Sequence, residues 1–302
     1  MQSDIIKIES ISQFNQISGY GKPTHPLITI IDISEIETLE SHIGIRSVFN
    51  LYVIGLKDSS CGNQYGRNHY DFDSGVLFFH APNQIQTITR VQKKGEVEGW
   101  MILFHPDLIR NTPLGKKIEA YNFFDYAIHE ALHLSESEQK TITDCIQIIK
   151  DEITGRVDNH SQTVISSTLE LLLNFSHRFY ERQFNTRSAQ NSDIIIQFEA
   201  LLKSYYRDGY FEEYGIPKVD YFSKELNLSA NYLSTLLKKE TGENIKEHIN
   251  IFVIEKAKGI LLNTSKSINE IAYELGFNYP HYFSRLFKNK IGKTPNEYRK
   301  MK

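Results

Sequence analysis

The sequence predicts a multidomain α+β chain in which strands fill the first third and helices the rest, ending in an all-α domain. Three observations support this. Four short runs rich in β-branched and aromatic residues lie between positions 27 and 106, separated by Gly, Asn, Asp and Ser clusters. Three stretches between 115 and 184 have the apolar spacing of helices. From about 195 onward, one helical pattern occurs twice.

The second copy is the more legible. It occupies 267–299, SINEIAYELGFNYPHYFSRLFKNKIGKTPNEYR. Ser267 and Glu270 form an S-x-x-E capping box that opens a helix. Ile268, Ile271, Ala272 and Leu275 then fall at i, i+3, i+4 and i+7 on one apolar face. Gly276 supplies the left-handed conformation that ends a helix cheaply, and Phe277 can plug the angle that follows. Pro280 suits the first turn of the next helix, where its missing N–H costs little. There Phe283, Leu286 and Phe287 face inward, leaving Pro280, His281, Tyr282, Ser284, Arg285 and Lys288 outside. Thr294 and Glu297 form a second capping box with Pro295 just inside it. Helix, tight turn and helix make a helix-turn-helix, and Arg285 can fork onto a guanine edge or a phosphate.

The first copy is aligned by simple offsets. Val219, Phe222, Ser223 and Leu226 match Ile268, Ile271, Ala272 and Leu275 at an offset of 49. Asn227, the best non-glycine residue for a left-handed turn, stands where Gly276 stands. Leu233, Leu237, Lys238 and Gly242 match Phe283, Phe287, Lys288 and Gly292 at an offset of 50, so one residue is added between the helices. The second helix of this copy spans about 230–240, capped by Ser229, with Ala230, Asn231, Ser234, Thr235 and Lys238 outward.

On these residues the chain resembles the AraC/XylS family of transcription regulators, whose DNA-binding module joins two helix-turn-helix units by a long helix. The resemblance covers about 195–299, and its most specific part is IAxxxGFxxxxxFxRxFKxxxGxTPxxYR, from Ile271 to Arg299. It implies double-stranded DNA as a partner, read in two adjacent major-groove segments whose centres are roughly 34 Å apart. By the family's pattern, the paired positions Asn231/His281 and Thr235/Arg285 face bases, while Lys238 and Lys288 sit near phosphate. The resemblance also implies RNA polymerase as a partner, activation more often than repression, and a homodimer. Two departures matter. An arginine common in the joining helix is replaced by Val253, and the first reader has no arginine toward the bases, so the second is expected to dominate.

Composition agrees. The chain has 302 residues, 40% hydrophobic and 24% charged, within the range of soluble globular proteins. No apolar run reaches the roughly 18 residues of a membrane span, and the start MQSDIIKIES lacks the pattern of a signal peptide. Cys61 and Cys145 are too few for a disulfide framework, which fits a reducing cytoplasm. Residues 191–302 carry 17 Lys+Arg against 14 Asp+Glu, a balance of +3, and the remainder carries −6. Within 281–302 the count is 7 basic to 1 acidic, the sign that phosphate attraction requires.

The four amino-terminal runs are LITIIDI (27–33), VFNLYVIGL (48–56), GVLFFHA (75–81) and EGWMILFHP (98–106). Their spacing predicts a small barrel or sandwich, and Gly75-Val-Leu-Phe-Phe with Ala81-Pro82 resembles the cupin-like barrel common in such regulators. This regulatory domain is assigned to 1–112. A metal-binding cupin needs two closely spaced histidines, but Asp71 stands two residues after His69; His80 and His105 read as ordinary surface or core histidines. No cofactor is expected, and any ligand would be a small organic effector in an aromatic cavity. Tyr65, Phe72, Phe79 and Trp100 either line it or belong to the core, with core the better reading. Helices are expected over 115–134, from the Ser135/Glu138 capping box to Thr154, and over 161–184. The last has a wide apolar face, assigned to dimerisation within a helical hairpin at 113–184; packing inside one chain is the alternative. The polar run 185–194 is the expected linker, leaving 195–302 as the double helix-turn-helix domain.

One motif competes. His129-Glu130-Ala131-Leu132-His133 matches H-E-x-x-H, in which two histidines one helical turn apart bind zinc and the glutamate activates water, with Glu152 as a conceivable third ligand. That would make the chain a zinc-dependent hydrolase. The usual downstream histidine is missing, and Ser135 starts a new helix just after His133, so a chance match is the stronger reading. G-x-S-x-G, Walker and G-x-G-x-x-G signatures are absent, and the chain is not expected to be an enzyme.

Overall fold

The computed structural model describes residues 5–57, 75–89, 91–155 and 158–300, apart from the side chains of residues 128, 188 and 189. The chain divides into two compact units, Met1–Arg187 and Ser188–Lys302.

The first unit is mixed α+β. Its strands in chain order are β1 (Ile6–Ile8), β2 (Ile28–Asp32), β3 (Arg46–Phe49) and β4 (Tyr52–Lys57). They continue with β5 (Gly75–His80), β6 (Ile85–Thr87), β7 (Gly99–Phe104) and β8 (Leu132–Leu134). Five of them form an antiparallel sheet in the order β2-β7-β4-β5-β8, and three form a smaller sheet in the order β1-β3-β6. Both sheets end in edge strands, so the expected barrel is not closed among the described residues. The expected strand 48–56 is two strands in different sheets. The chain turns at Asn50, whose N–H donates to the Ile8 carbonyl at 2.8 Å, and Leu51 is buried at the corner.

Alternation divides the larger sheet into two faces. Ile54, Leu56, Leu77, Phe79, Trp100 and Ile102 share one face by register. Phe79 packs there on Phe123, Phe124 and Tyr180, with ring centroids 4.5, 5.5 and 6.3 Å away. The Trp100 indole N–H donates to the Thr143 hydroxyl at 3.4 Å. The opposite face contributes Ile31, Val53 and Leu103 to a separate cluster with Ile8, Ile11 and Phe14. Phe79 and Trp100 thus lie on the face toward the helices, not the face toward the small sheet. Tyr65, His69, Asp71 and Phe72 fall outside the described residues.

The helix expected at 115–134 does not form. Instead α2 (Pro113–Lys117), which follows α1 (Ile11–Ile17), gives way to three 3-10 turns and then to β8. The cause is tertiary. β8 pairs with β5, Gly75 opposite Leu134, and its backbone is bonded to the long helix α4 (Ser161–Thr186). The His133 N–H donates to Gln183 Oε1 at 2.8 Å, Gln183 Nε2 donates to the Ala131 carbonyl at 3.2 Å, and Arg182 donates to the His133 carbonyl at 2.6 Å. Together these bonds outweigh helix propensities of a few tenths of a kcal/mol per residue. Gln183→Leu, which would leave both buried backbone groups unpaired, is expected to destabilise this unit by about 2–4 kcal/mol in chemical denaturation.

α3 (Glu136–Thr154) and α4 form the expected antiparallel pair, and α3 opens with the Ser135/Glu138 capping box. Leu169, Leu172, Leu173, Ser176 and Tyr180 of α4 are all buried, while Val164 and Leu171 stay exposed. Most of the wide apolar face is therefore covered within the chain. The polar run taken for a linker is helical: α4 reaches Thr186 and α5 (Ser188–Arg207) starts two residues later. Asn191 is buried and donates to Glu240 at 2.8 Å, so a residue that reads as loop chemistry serves a packed helix.

One half-buried histidine makes this unit acid-sensitive. Burial lowers the His80 pKa to about 4, with the Lys57 charge adding to the effect, and Gln86 Nε2 lies 3.0 Å from its Nδ1. His80 is thus neutral when folded, whereas an unfolded chain takes up its proton near pH 6.5. Its contribution is complete above about pH 6.5 and is lost as pH falls toward 4, worth about 2 kcal/mol after allowing for partial exposure. Urea midpoints between pH 7 and 4 should fall less steeply in His80→Gln.

The second unit is all helical. After α5 come α6 (Tyr210–Tyr214), α7 (Val219–Leu226), α8 (Ala230–Thr241) and α9 (Ile245–Asn263). Then follow α10 (Ile268–Glu274), α11 (Pro280–Ile291) and α12 (Pro295–Arg299). One core joins Phe222 and Leu237 of the first copy, Ile249 and Val253 of α9, and Ile271 and Phe287 of the second. Val253 is buried in that core, so it occupies an inward position of the joining helix.

Candidate nucleic-acid interface

The duplicated pattern folds as a duplicated structure. At the first turn Asn227 adopts φ 53° and Leu228 N–H donates to the Ser223 carbonyl at 2.9 Å. At the second, Gly276 adopts φ 81° and Phe277 N–H donates to the Ala272 carbonyl at 2.9 Å. Both bonds close the same six-residue ring that satisfies the last carbonyls of a helix. Ser229 caps α8, and Gly242 and Gly292 end α8 and α11 in the left-handed conformation. The Ser267/Glu270 and Thr294/Glu297 boxes are both made. Bonds from the backbone and hydroxyls of Ser267 and Thr294 hold the two carboxyls below the usual glutamate range.

The two readers present different surfaces. On α8, Tyr232, Leu233, Leu236 and Leu237 are all buried, and Asn231, Ser234 and Thr235 are partly buried beside exposed Lys238. On α11 only Phe283 and Phe287 are buried. His281, Arg285 and Lys288 are exposed, with Pro280 and Ser284 partly so. Each set thus lies along one helix, as the spacing predicts, and Arg285 and Lys288 make no ion pair among the described residues. Other cations are occupied: Lys290 bonds Glu247 at the start of α9, and Lys266 bonds Glu274 at 2.7 Å.

Sequence reasoning missed two features here. Tyr279 and Tyr282 are 59% and 47% exposed and flank His281 in an aromatic group that reaches Arg285. The signal was the i, i+3, i+6 spacing of Tyr279, Tyr282 and Arg285. The second feature lies behind the turn. A Cβ on Gly276 would stand 2.8 Å from Gly215 C and Ile216 N, so the second reader's turn presses against the chain entering α7.

The competing metal motif does not have its required geometry. His129 and Glu130 lie in a 3-10 turn, Ile128–Glu130, and His133 lies in β8, so the histidines are not one helical turn apart on one helix. Glu130 is buried and accepts the Ala127 N–H at 2.6 Å. Among the described residues no three His, Cys, Asp or Glu side chains are grouped to hold a metal ion. His80 and His105 instead neighbour Gln86 and Asn50. No helix among the described residues is long and apolar enough to cross a membrane.

Two helix-turn-helix units on one core, each exposing the face of its second helix, define a DNA-binding domain. Residues 222–301 match the family model described as a helix-turn-helix domain. The Msm operon regulatory protein of Streptococcus mutans is 39% identical over 83 residues, 28% of this chain and 30% of that protein. The HTH-type transcriptional activator RhaR of Mannheimia succiniciproducens is 25% identical over 212 residues, 68% of this chain and 71% of that protein. A solved carboxyl-terminal domain of the response regulator yesN from Fusobacterium nucleatum is 31% identical, covering 33% of this chain and 96% of that one, with a TM-score of 0.30. The carboxyl-terminal unit is similar to the helix-turn-helix domains of AraC/XylS-type transcription regulators. The chain spans only 30% of the length of the first of these relatives.

Proposed function

We propose that the chain is a sequence-specific transcription activator, acting in the cytoplasm as a homodimer, whose DNA binding is controlled through its amino-terminal unit. The observation behind this reading is the pair of exposed reading helices, α8 and α11, on one core. Asn231, Ser234, Thr235 and Lys238 would enter one major-groove segment, and Pro280, His281, Ser284, Arg285 and Lys288 the next. The 19 residues of α9 rise about 28 Å, close to one turn of the duplex. Val164 and Leu171 mark the part of α4 left for a second copy. In this reading the amino-terminal strands serve as a cupin-like sensor. A small organic effector bound there would shift the population competent for DNA, and RNA polymerase would be the partner on the promoter.

The test is selection of bound sequences from random duplex DNA by the full-length protein, with and without cell extract. A two-part site with centres about one helical turn apart is expected. Failure to enrich any sequence in either condition would sink the proposal. A site that appears only with extract would identify an effector requirement.

A further inference from the structure

Arg285 rests its guanidinium against an aromatic ring. Its guanidinium carbon lies 5.1 Å from the centre of the Tyr282 ring, three residues earlier on α11. Tyr282 is itself braced, with the His281 ring 4.3 Å away and the Tyr279 ring 6.0 Å away. A guanidinium held by a carboxylate spends its N–H donors on that partner. One resting on an aromatic face keeps all five donors in its own plane, pointing away from the ring. Arg285 has no ion pair among the described residues, so its donors are not spent on a carboxylate.

The repeat provides an internal comparison. At the offset of 50, Tyr282 corresponds to Tyr232 and Arg285 to Thr235. Tyr232 is 4% exposed, whereas Tyr282 is 47% exposed. The same residue type at the same place is buried where no arginine follows it, and lies at the surface where one does.

We propose that Tyr282 is a positioning residue of the second reader, whose ring holds the Arg285 guanidinium so that it forks onto the N7/O6 edge of one guanine in preference to a phosphate. This rests on the DNA-binding reading above and adds to it the residue that sets base discrimination.

The experiment uses the full-length protein and the operator selected from random DNA. Arg285→Ala first identifies the guanine whose preference is lost. That guanine is then replaced by 7-deazaguanine, which lacks the N7 acceptor, and the ratio of the two Kd values is measured for each variant. Wild type and Tyr282→Phe, which keeps the ring, should show a ratio of roughly ten or more. Tyr282→Leu and Tyr282→Gln, which remove it, should fall toward the ratio of about one expected for Arg285→Ala, with melting curves like wild type. A structural role alone would weaken binding to both DNAs and leave the ratio unchanged. Wild-type ratios in Leu and Gln variants that fold would overturn the inference while leaving the DNA-binding reading intact. So would an Arg285→Ala variant that loses no guanine preference. If the wild type selects no DNA at all, both fail together.

Discussion

Arg285→Ala should weaken operator binding by about 1–3 kcal/mol, roughly fivefold to 150-fold, while Thr235→Ala should cost clearly less. The two residues occupy the same repeat position, so the comparison isolates chemistry from place. An arginine fork makes two charged hydrogen bonds to one guanine edge, whereas a threonine hydroxyl discriminates weakly among acceptors. Exposure favours the same ranking: Arg285 is exposed, and Thr235 is partly buried on a helix that hides four apolar side chains. Anisotropy titrations of selected and scrambled duplexes at one fixed salt concentration provide the measurement, since salt alone shifts such affinities strongly. Unchanged binding in Arg285→Ala together with abolished binding in Thr235→Ala would reverse the ranking.

The second large effect concerns folding. Gly276→Ala should destabilise the carboxyl-terminal unit by about 3 kcal/mol or more, against about 1–2 kcal/mol for Gly242→Ala. Both glycines have φ 81°, so the penalty of a left-handed Cβ is common to both. They differ in space. Nothing lies within 4 Å of a Cβ at Gly242, but one at Gly276 would meet the backbone of Gly215 and Ile216 at 2.8 Å. Backbone cannot rotate away as a side chain can, so the second turn must shift against the chain entering α7. Equal losses in thermal melts of the two variants would mean that the contact is looser than it looks.

Local chemistry made the carboxyl-terminal unit readable. Capping boxes at Ser267 and Thr294, a left-handed Asn227 matched to Gly276, and apolar residues at helical spacing all act within a few residues of themselves. The repeat then checked each reading against its copy. The amino-terminal unit lacks such redundancy. A run at 48–56 that is apolar on both sides of Asn50 does not announce that this residue will send its halves into different sheets. The stretch 115–134 reads as a helix because nothing near it reveals that Gln183, some fifty residues later, will bond the backbone of Ala131 and His133.

The H-E-x-x-H segment shows the same limit from the other side. A five-residue pattern specifies zinc chemistry only when the backbone is helical, and that condition was decided by β5 and α4, not by the five residues. The polar run 185–194 is likewise helical, and its Asn191 is buried against Glu240.

The helices, turns and caps of the two helix-turn-helix units were legible in the residues alone. Those features rest on hydrogen bonds and dihedral preferences spanning three to six residues, which any local reading can follow. Which surface residues are organised depends on packing across the whole unit. The Tyr282 ring under Arg285, the burial of Tyr232 at the matching position and the Gly215–Gly276 contact all depend on which surfaces the core leaves exposed. That is settled by packing over the whole unit, where identical residues at equivalent places meet different neighbours.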